Sequence, residues 1–192
     1  MRIVGGKFGG RTLTSPNDFR VRPTAEEVRV HMMKLLRNDL EGARVLDLFA
    51  GTGALGLEAL SRGAKYVDFV EFRPASLHAL QANIKALRVM EKTRVYKKDA
   101  LPFADILPPD RYDVAFADPP YESRMLDRLI ERWQRAPWSR ILVAEHATTH
   151  QLPRAASHAR FEETAISVYR AVADQAPVSR PPLPPPASPT RP

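Results

Sequence analysis

A chain of 192 residues suits one domain around a single hydrophobic core. Its hydrophobic fraction of 44% can fill such a core, yet no apolar run approaches the length of a membrane span. The absence of cysteine excludes disulfides and thiolate metal sites, and five scattered histidines without ligand spacing leave no metal site to expect. A net charge of +7 points to a polyanionic partner. The first residues lack the charged and apolar regions of a signal peptide, so a cytoplasmic location is expected.

The positive charge is gathered early. Up to Arg22 the chain carries Arg2, Lys7, Arg11, Arg20 and Arg22 against Asp18 alone. Within a first zone, residues 1–40, the glycine-rich run from Gly5 to Gly10 is flanked by Ile3-Val4 and Leu13, which predicts a small hairpin. Lys7, Arg11, Arg20 and Arg22, in or beside it, are the candidate phosphate contacts. Thr24, with Glu27 three residues on, has the spacing of a capping box. Val28, Met32, Leu35 and Leu36 then recur at helical intervals.

The second zone, residues 41–175, alternates strand-like and helix-like patterns. Strands are predicted at Val45–Phe49, Tyr66–Glu71, Thr93–Lys97, Tyr112–Ala117 and Arg140–Glu145, with two more around His158–Glu162 and Ala165–Ala171. Between the first five lie helices at Leu55–Ser61, Pro74–Leu87 and Arg124–Trp133, and a short turn near Pro102–Ile106. Nearly continuous apolar strands alternating with amphipathic helices indicate an α/β fold, a parallel sheet covered on both faces. The last zone, residues 176–192, holds eight of the 18 prolines and is expected to be a disordered, polyproline-like tail.

Two segments carry the chemistry. The first runs from Val45 through Asp47, Phe49, Ala50, Gly51, Thr52 and Gly53 to Gly56: a buried strand, a glycine turn and a helix starting near Ala54. Gly51 and Gly53 allow close backbone approach to a ligand, and the helix N-terminus offers N–H groups to an anion. The pattern also satisfies the dinucleotide fingerprint, with Glu71 at the distance of a ribose-binding acid. Asp47 separates the readings. A carboxylate just before the glycines repels a pyrophosphate but complements the ammonium and sulfonium of S-adenosylmethionine; otherwise it is a turn residue that caps its own loop.

The second segment, Asp118-Pro119-Pro120-Tyr121, follows the buried strand ending at Ala117. Ligands of open α/β sheets bind at the carboxyl ends of strands, the edge that also holds Gly51 and Glu71. A nucleobase amino group has a delocalised, poorly nucleophilic lone pair. It needs acceptors, which the Asp118 carboxylate and the Pro119 carbonyl supply, and a stacking surface, which Tyr121 supplies. The competing reading is a rigid proline turn. Asp99 ends the third strand where an acceptor could meet an adenine amino group, although Lys97-Lys98-Asp99-Ala100 is equally compatible with a solvated turn. Phe72 suits either the adenine face or the core, and Trp133 and Trp138 read as structural.

These segments resemble class I amino-methyltransferases. Arg2-Ile3-Val4-Gly5-Gly6 with Gly10-Arg11, Arg22-Pro23-Thr24 with Val28-Arg29, and Gly56 to Ala64 narrow the resemblance to the bacterial 16S ribosomal RNA guanine-N2 methyltransferases of the small subunit. The likeness covers Arg2 to Tyr169. It implies a seven-stranded sheet whose last strand is antiparallel, and an N-terminal hairpin that grips RNA. It further implies an S-adenosylmethionine site at Asp47 to Gly53, Glu71 and Asp99, a catalytic loop at Asp118 to Tyr121, and the small ribosomal subunit as partner; Phe72 and Ala100 are added to the cofactor site from their positions beside these acids, and a monomer is expected. Three other readings compete. A DNA adenine-N6 methyltransferase shares the Asp-Pro-Pro-Tyr logic but needs more sequence to recognise its site. A nicotinamide-dependent oxidoreductase leaves that loop and the basic arm without a role. A non-catalytic RNA-binding protein has no use for the two chemical segments.

Overall fold

The computed structural model describes residues 1–16, 24–120 and 124–171. Arg20, Arg22, Tyr121 and the proline-rich residues 176–192 lie outside the described residues. Five strands, β1 (Arg44–Asp47), β2 (Tyr66–Val70), β3 (Thr93–Tyr96), β4 (Tyr112–Ala117) and β5 (Ser139–Ala147), run parallel. They are followed by β6 (Ser157–Arg160) and β7 (Thr164–Arg170), and β7 is antiparallel to both β5 and β6. The sheet order is β3-β2-β1-β4-β5-β7-β6, seven strands with a reversed last strand, as the resemblance implied.

Helices α1 (Glu26–Leu35), α2 (Ala54–Ser61), α3 (Pro74–Leu87), α4 (Ala100–Asp105) and α5 (Met125–Arg135) cover the sheet. One face buries Val45, Val67, Phe69, Phe116 and Val143 with Met32, Leu57, Leu80 and Ile84. The other buries Leu46, Leu48, Ala115 and Leu142 with Phe103, Leu129, Ile130 and Trp133. The Trp133 indole N–H reaches the carbonyl and hydroxyl oxygens of Ser139, each at 2.9 Å, and Trp138 is buried, so both tryptophans are structural.

Three local expectations are corrected. The turn expected near Pro102–Ile106 is the helix α4, started by Asp99, whose side chain accepts from the Leu101 amide at 3.1 Å. Pro102 falls in its first turn, where a missing N–H breaks no helical bond. Strand β5 extends past both predicted ends because β4 pairs its start and β7 its end. Thr24 does not cap α1. Ala25 holds the cap position without a side-chain bond, and the Thr24 hydroxyl donates to Asp118 Oδ2 at 3.2 Å.

The N-terminal segment is a narrow hairpin built into the core. Ile3 N donates to Arg11 O, Gly10 N to Ile3 O and Leu13 N to Met1 O, each at 2.9 Å, around a 3-10 turn at Gly6–Phe8. Ile3 and Leu13 are buried among residues of α1, α2 and the sheet. Glu58 of α2, wholly buried, accepts from the amides of Val4 (2.8 Å) and Gly5 (3.0 Å), and Ser61 Oγ accepts from Phe8 N at 2.8 Å. These bonds fasten the hairpin's turn to the far end of α2.

Candidate active site

The parallel strands end along one edge, and each of four adjacent strands delivers a carboxylate there. In spatial order they are Asp99 after β3, Glu71 after β2, Asp47 closing β1, and Asp118 after β4. The sequence separates them widely, and the strand order makes them neighbours.

Asp47 is buried, and its Oδ2 accepts from the Gly56 amide at 3.1 Å, at the start of α2. Burial pushes its carboxyl up to about 7; the Gly56 amide opposes this, the charge of Glu71 adds to it, and the Phe49 amide opposes it. Asp47 therefore does cap its own loop. In doing so it covers a first-turn amide of the helix, one that the sequence alone leaves open to a ligand. A pyrophosphate approaching that turn meets a carboxylate in place of an N–H donor.

Glu71 is also buried. Its Oε2 accepts from Gly51 N at 2.9 Å, and its Oε1 from Phe72 N and Arg73 N at 2.8 Å each. Three backbone donors occupy three of about four acceptor positions of a carboxylate, leaving capacity for one more. The two glycines differ. At Gly51, φ +53°, a side chain would meet only the Phe49 carbonyl oxygen, at 4.0 Å and in ordinary contact. Gly53, at φ +81°, has Leu80 Cδ1 only 2.4 Å from that position, so packing and left-handed backbone require this glycine.

The remaining predicted residues distribute as follows. Phe72 is 54% exposed, which excludes the core role, and the Arg73 guanidinium lies 5.8 Å from its ring centre. Phe49 is half-buried, while Ala50, Thr52 and Ala100 are buried. The Thr52 carbonyl accepts from Asn83 Nδ2 at 2.9 Å. Asp99 is exposed. Asp118 is half-buried, Pro119 buried and Pro120 exposed. Lys7 and Arg11 are exposed but are not brought to this edge: the hairpin turn docks on Ser61 at the end of α2, and Arg11 donates to Ala86 O near the end of α3 at 3.3 Å.

Several polar residues at the site are not evident from sequence pattern. Asn83 Oδ1 accepts from Thr14 N at 2.7 Å while its Nδ2 serves Thr14 O and Thr52 O, tying the hairpin's second strand to the glycine turn. Arg29, 2% exposed, donates to Thr24 O (2.6 Å) and Arg2 O (2.9 Å). A sequence signal existed for Asn83, and for Glu58 away from this edge. Glu58 and Asn83 interrupt apolar helix faces, Glu58 between Leu57 and Ala59 and Asn83 beside Leu80 and Ile84, and a polar group there must find a buried partner.

A doubly wound sheet with one reversed strand, a glycine turn after β1, an acid after β2 and Asp-Pro-Pro after β4 on the same edge defines a class I methyltransferase. A family described as "Conserved hypothetical protein 95" matches residues 1–168, and the chain belongs to that family. It is 33% identical over 158 residues to the putative rRNA methyltransferase YlbH of Bacillus subtilis, covering 80% of this chain and 86% of that one. It is 35% identical over 139 residues to ribosomal RNA small subunit methyltransferase D of Escherichia coli, covering 72% and 69%. The solved structure of the putative methyltransferase yhhF from Escherichia coli superposes with a TM-score of 0.77 at 29% identity, covering 88% of this chain and 97% of that one. Among the described residues no helix is long and apolar enough to cross a membrane.

Proposed function

We propose that this enzyme transfers a methyl group from S-adenosylmethionine to the exocyclic N2 amino group of a guanine in 16S ribosomal RNA of the small subunit. One observation carries the reading of the cofactor. Asp47 and Glu71 are both buried beside the glycine turn, the charge of Glu71 adds to the cost of ionising Asp47, and Asp47 covers one first-turn helix amide that would otherwise face an anion. Such a pocket favours a cationic ligand. The residues therefore fit S-adenosylmethionine, whose sulfonium makes its methyl group electrophilic.

Asp47 faces the ligand's positive charge, and Gly51 with Phe49, Ala50, Thr52 and Gly53 shapes the turn around it. Glu71 uses its remaining acceptor capacity for a ribose hydroxyl. The exposed ring of Phe72 covers the adenine, and Asp99 with Ala100 meets its amino edge. On the neighbouring strand end, the Asp118 carboxylate and the Pro119 carbonyl accept from the target amino group and draw its lone pair out of conjugation. Tyr121 stacks on the base. Each group then works by orientation, in a site where a shift of about 1 Å can cost roughly a hundredfold in rate.

The RNA substrate is supported by relatives named as rRNA methyltransferases, one of them of the small subunit, and by the +7 charge with its excess in the first 22 residues. Residues 1–40 then serve as an RNA-binding extension, through Lys7, Arg11, Arg20 and Arg22, on a catalytic body of residues 41–175. The direct test is transfer of tritiated methyl groups to naked 16S RNA, small subunits and duplex DNA, with the labelled base identified. N2-methylguanine in the RNA is expected; label in adenine of DNA overturns the assignment.

A further inference from the structure

We infer that Thr24 is a positioning residue for Asp118, and that the buried guanidinium of Arg29 holds Thr24 in place for that purpose. The inference rests on the reading of Asp118 as the acceptor for the target amine. Thr24 has the sequence spacing of a capping box with Glu27, yet it lies one residue before the cap position, which Ala25 holds without a side-chain bond. The Thr24 hydroxyl donates to Asp118 Oδ2, 94 residues away, at 3.2 Å. A hydrogen bond to a charged acceptor is stronger than one to a neutral group, and this one ties the segment entering α1 to the loop leaving β4.

The support behind Thr24 is expensive. Removing a guanidinium from water carries a large desolvation penalty unless its donors are used. Arg29 is 2% exposed; it directs Nη1 to the Thr24 carbonyl (2.6 Å) and Nη2 to the Arg2 carbonyl (2.9 Å), while its buried Nε has no hydrogen-bond partner among the described residues. Both partners are backbone atoms of segments with no regular pairing to each other. Its hydrogen bonds therefore fix chain positions, as those of Glu58 do for Val4 and Gly5 on the neighbouring helix. A continuous path results: the first residues of the hairpin, Arg29, the Thr24 backbone, the Thr24 hydroxyl, and the carboxylate of Asp118. The half-buried aspartate follows a strand end, and the Thr24 hydroxyl bound to Oδ2 helps to orient its acceptor lone pairs.

A positioning role and a merely structural tie differ in what they move. Thr24→Val keeps the β-branch and the carbonyl that Arg29 bonds but loses the hydroxyl, whereas Thr24→Ser keeps the hydroxyl. With S-adenosylmethionine and small subunits as substrates, Thr24→Val should lower kcat about 10- to 100-fold, the equivalent of one lost hydrogen bond to a charged group. Its KM for subunits, its calorimetric affinity for S-adenosylmethionine and its Tm should stay at wild-type values, and Thr24→Ser should recover most of the rate. Arg29→Lys, which keeps the charge and loses the fork, should also lower kcat with cofactor affinity unchanged. A Thr24→Val enzyme with wild-type kcat, a Thr24→Ser enzyme as slow as Thr24→Val, or parallel losses of Tm and cofactor affinity would overturn the inference. A wild-type protein that methylates no RNA would instead overturn the reading on which it rests.

Discussion

The amide of Gly56 and the carboxylate of Asp47 are joined at 3.1 Å across the glycine turn, so the helix that follows this turn begins with one of its amides covered by a buried acid. That acid lies beside a second, Glu71, which grips Gly51 on the other flank of the same turn. Backbone amides donate to both carboxylates. A turn of this construction disfavours phosphates and favours cations, although its glycine spacing matches the dinucleotide fingerprint.

Titration of Asp47 should make cofactor affinity depend on pH. Its carboxyl is pushed up to about 7 by burial, and a cationic ligand needs the ionised form. Affinity for S-adenosylmethionine should therefore rise from pH 5.5 to pH 8 and level off, and Asp47→Asn should be weaker and nearly pH-independent. The ligand-free protein should show the opposite trend in stability. Because the folded value lies above the ordinary 3.8, the contribution is full below about pH 4 and is lost as pH rises through 7. Calorimetric titration and thermal melts of wild type and Asp47→Asn across this range check both signs.

Replacing Glu71 by alanine removes a charge and leaves the amides of Gly51, Phe72 and Arg73 without their acceptor. Affinity for S-adenosylmethionine should fall by about tenfold or more, the usual cost of a hydrogen bond to a charged group. NADH should bind neither protein. Tight NADH binding by the wild type, measured by the same calorimetry, would reverse the cofactor assignment.

Asp118→Ala should abolish turnover and leave cofactor affinity nearly unchanged, as follows from the proposal that it accepts from the target amine. Tyr121→Ala should slow the reaction much more than Tyr121→Phe, because stacking requires the ring and not the hydroxyl. Single-turnover rates beside equilibrium titrations separate these effects. Equal damage from both Tyr121 variants would indicate a hydroxyl role.

The hairpin allows charge and architecture to be tested apart. Neutralising Lys7, Arg11 and Arg22 together should weaken small-subunit binding and reduce its logarithmic salt slope by a little under one for each phosphate no longer neutralised. Tm should change little, because Lys7 and Arg11 are exposed. Glu58→Ala should do the reverse, costing on the order of 3 kcal/mol of stability, since it strands the amides of Val4 and Gly5 and the guanidinium of Arg62. A charge-neutral triple variant that melts early yet binds subunits normally would make the basic residues structural.

Short-range pattern carried most of the architecture. Buried strands such as Val114 to Ala117 read as apolar runs, Pro74 to Leu87 as one amphipathic helix, and the glycine turn and Asp-Pro-Pro segment stood out by composition. The rule that ligands gather at strand ends then brought Asp47, Glu71, Asp99 and Asp118 to one edge without coordinates. Tertiary structure decided which partner each polar group chose. The Thr24 hydroxyl could satisfy a nearby amide or a distant carboxylate, and only the docking of α1 beside the β4 loop settled it. That Gly53 packs against Leu80 of α3, beside its place in the glycine turn, shows only in the folded chain. The ionisation of Asp47 depends on burial and on a neighbour supplied by the next strand, and neither quantity is local. Backbone conformation is biased by nearby residues, whereas desolvation and hydrogen-bond choice exist only once remote surfaces have met.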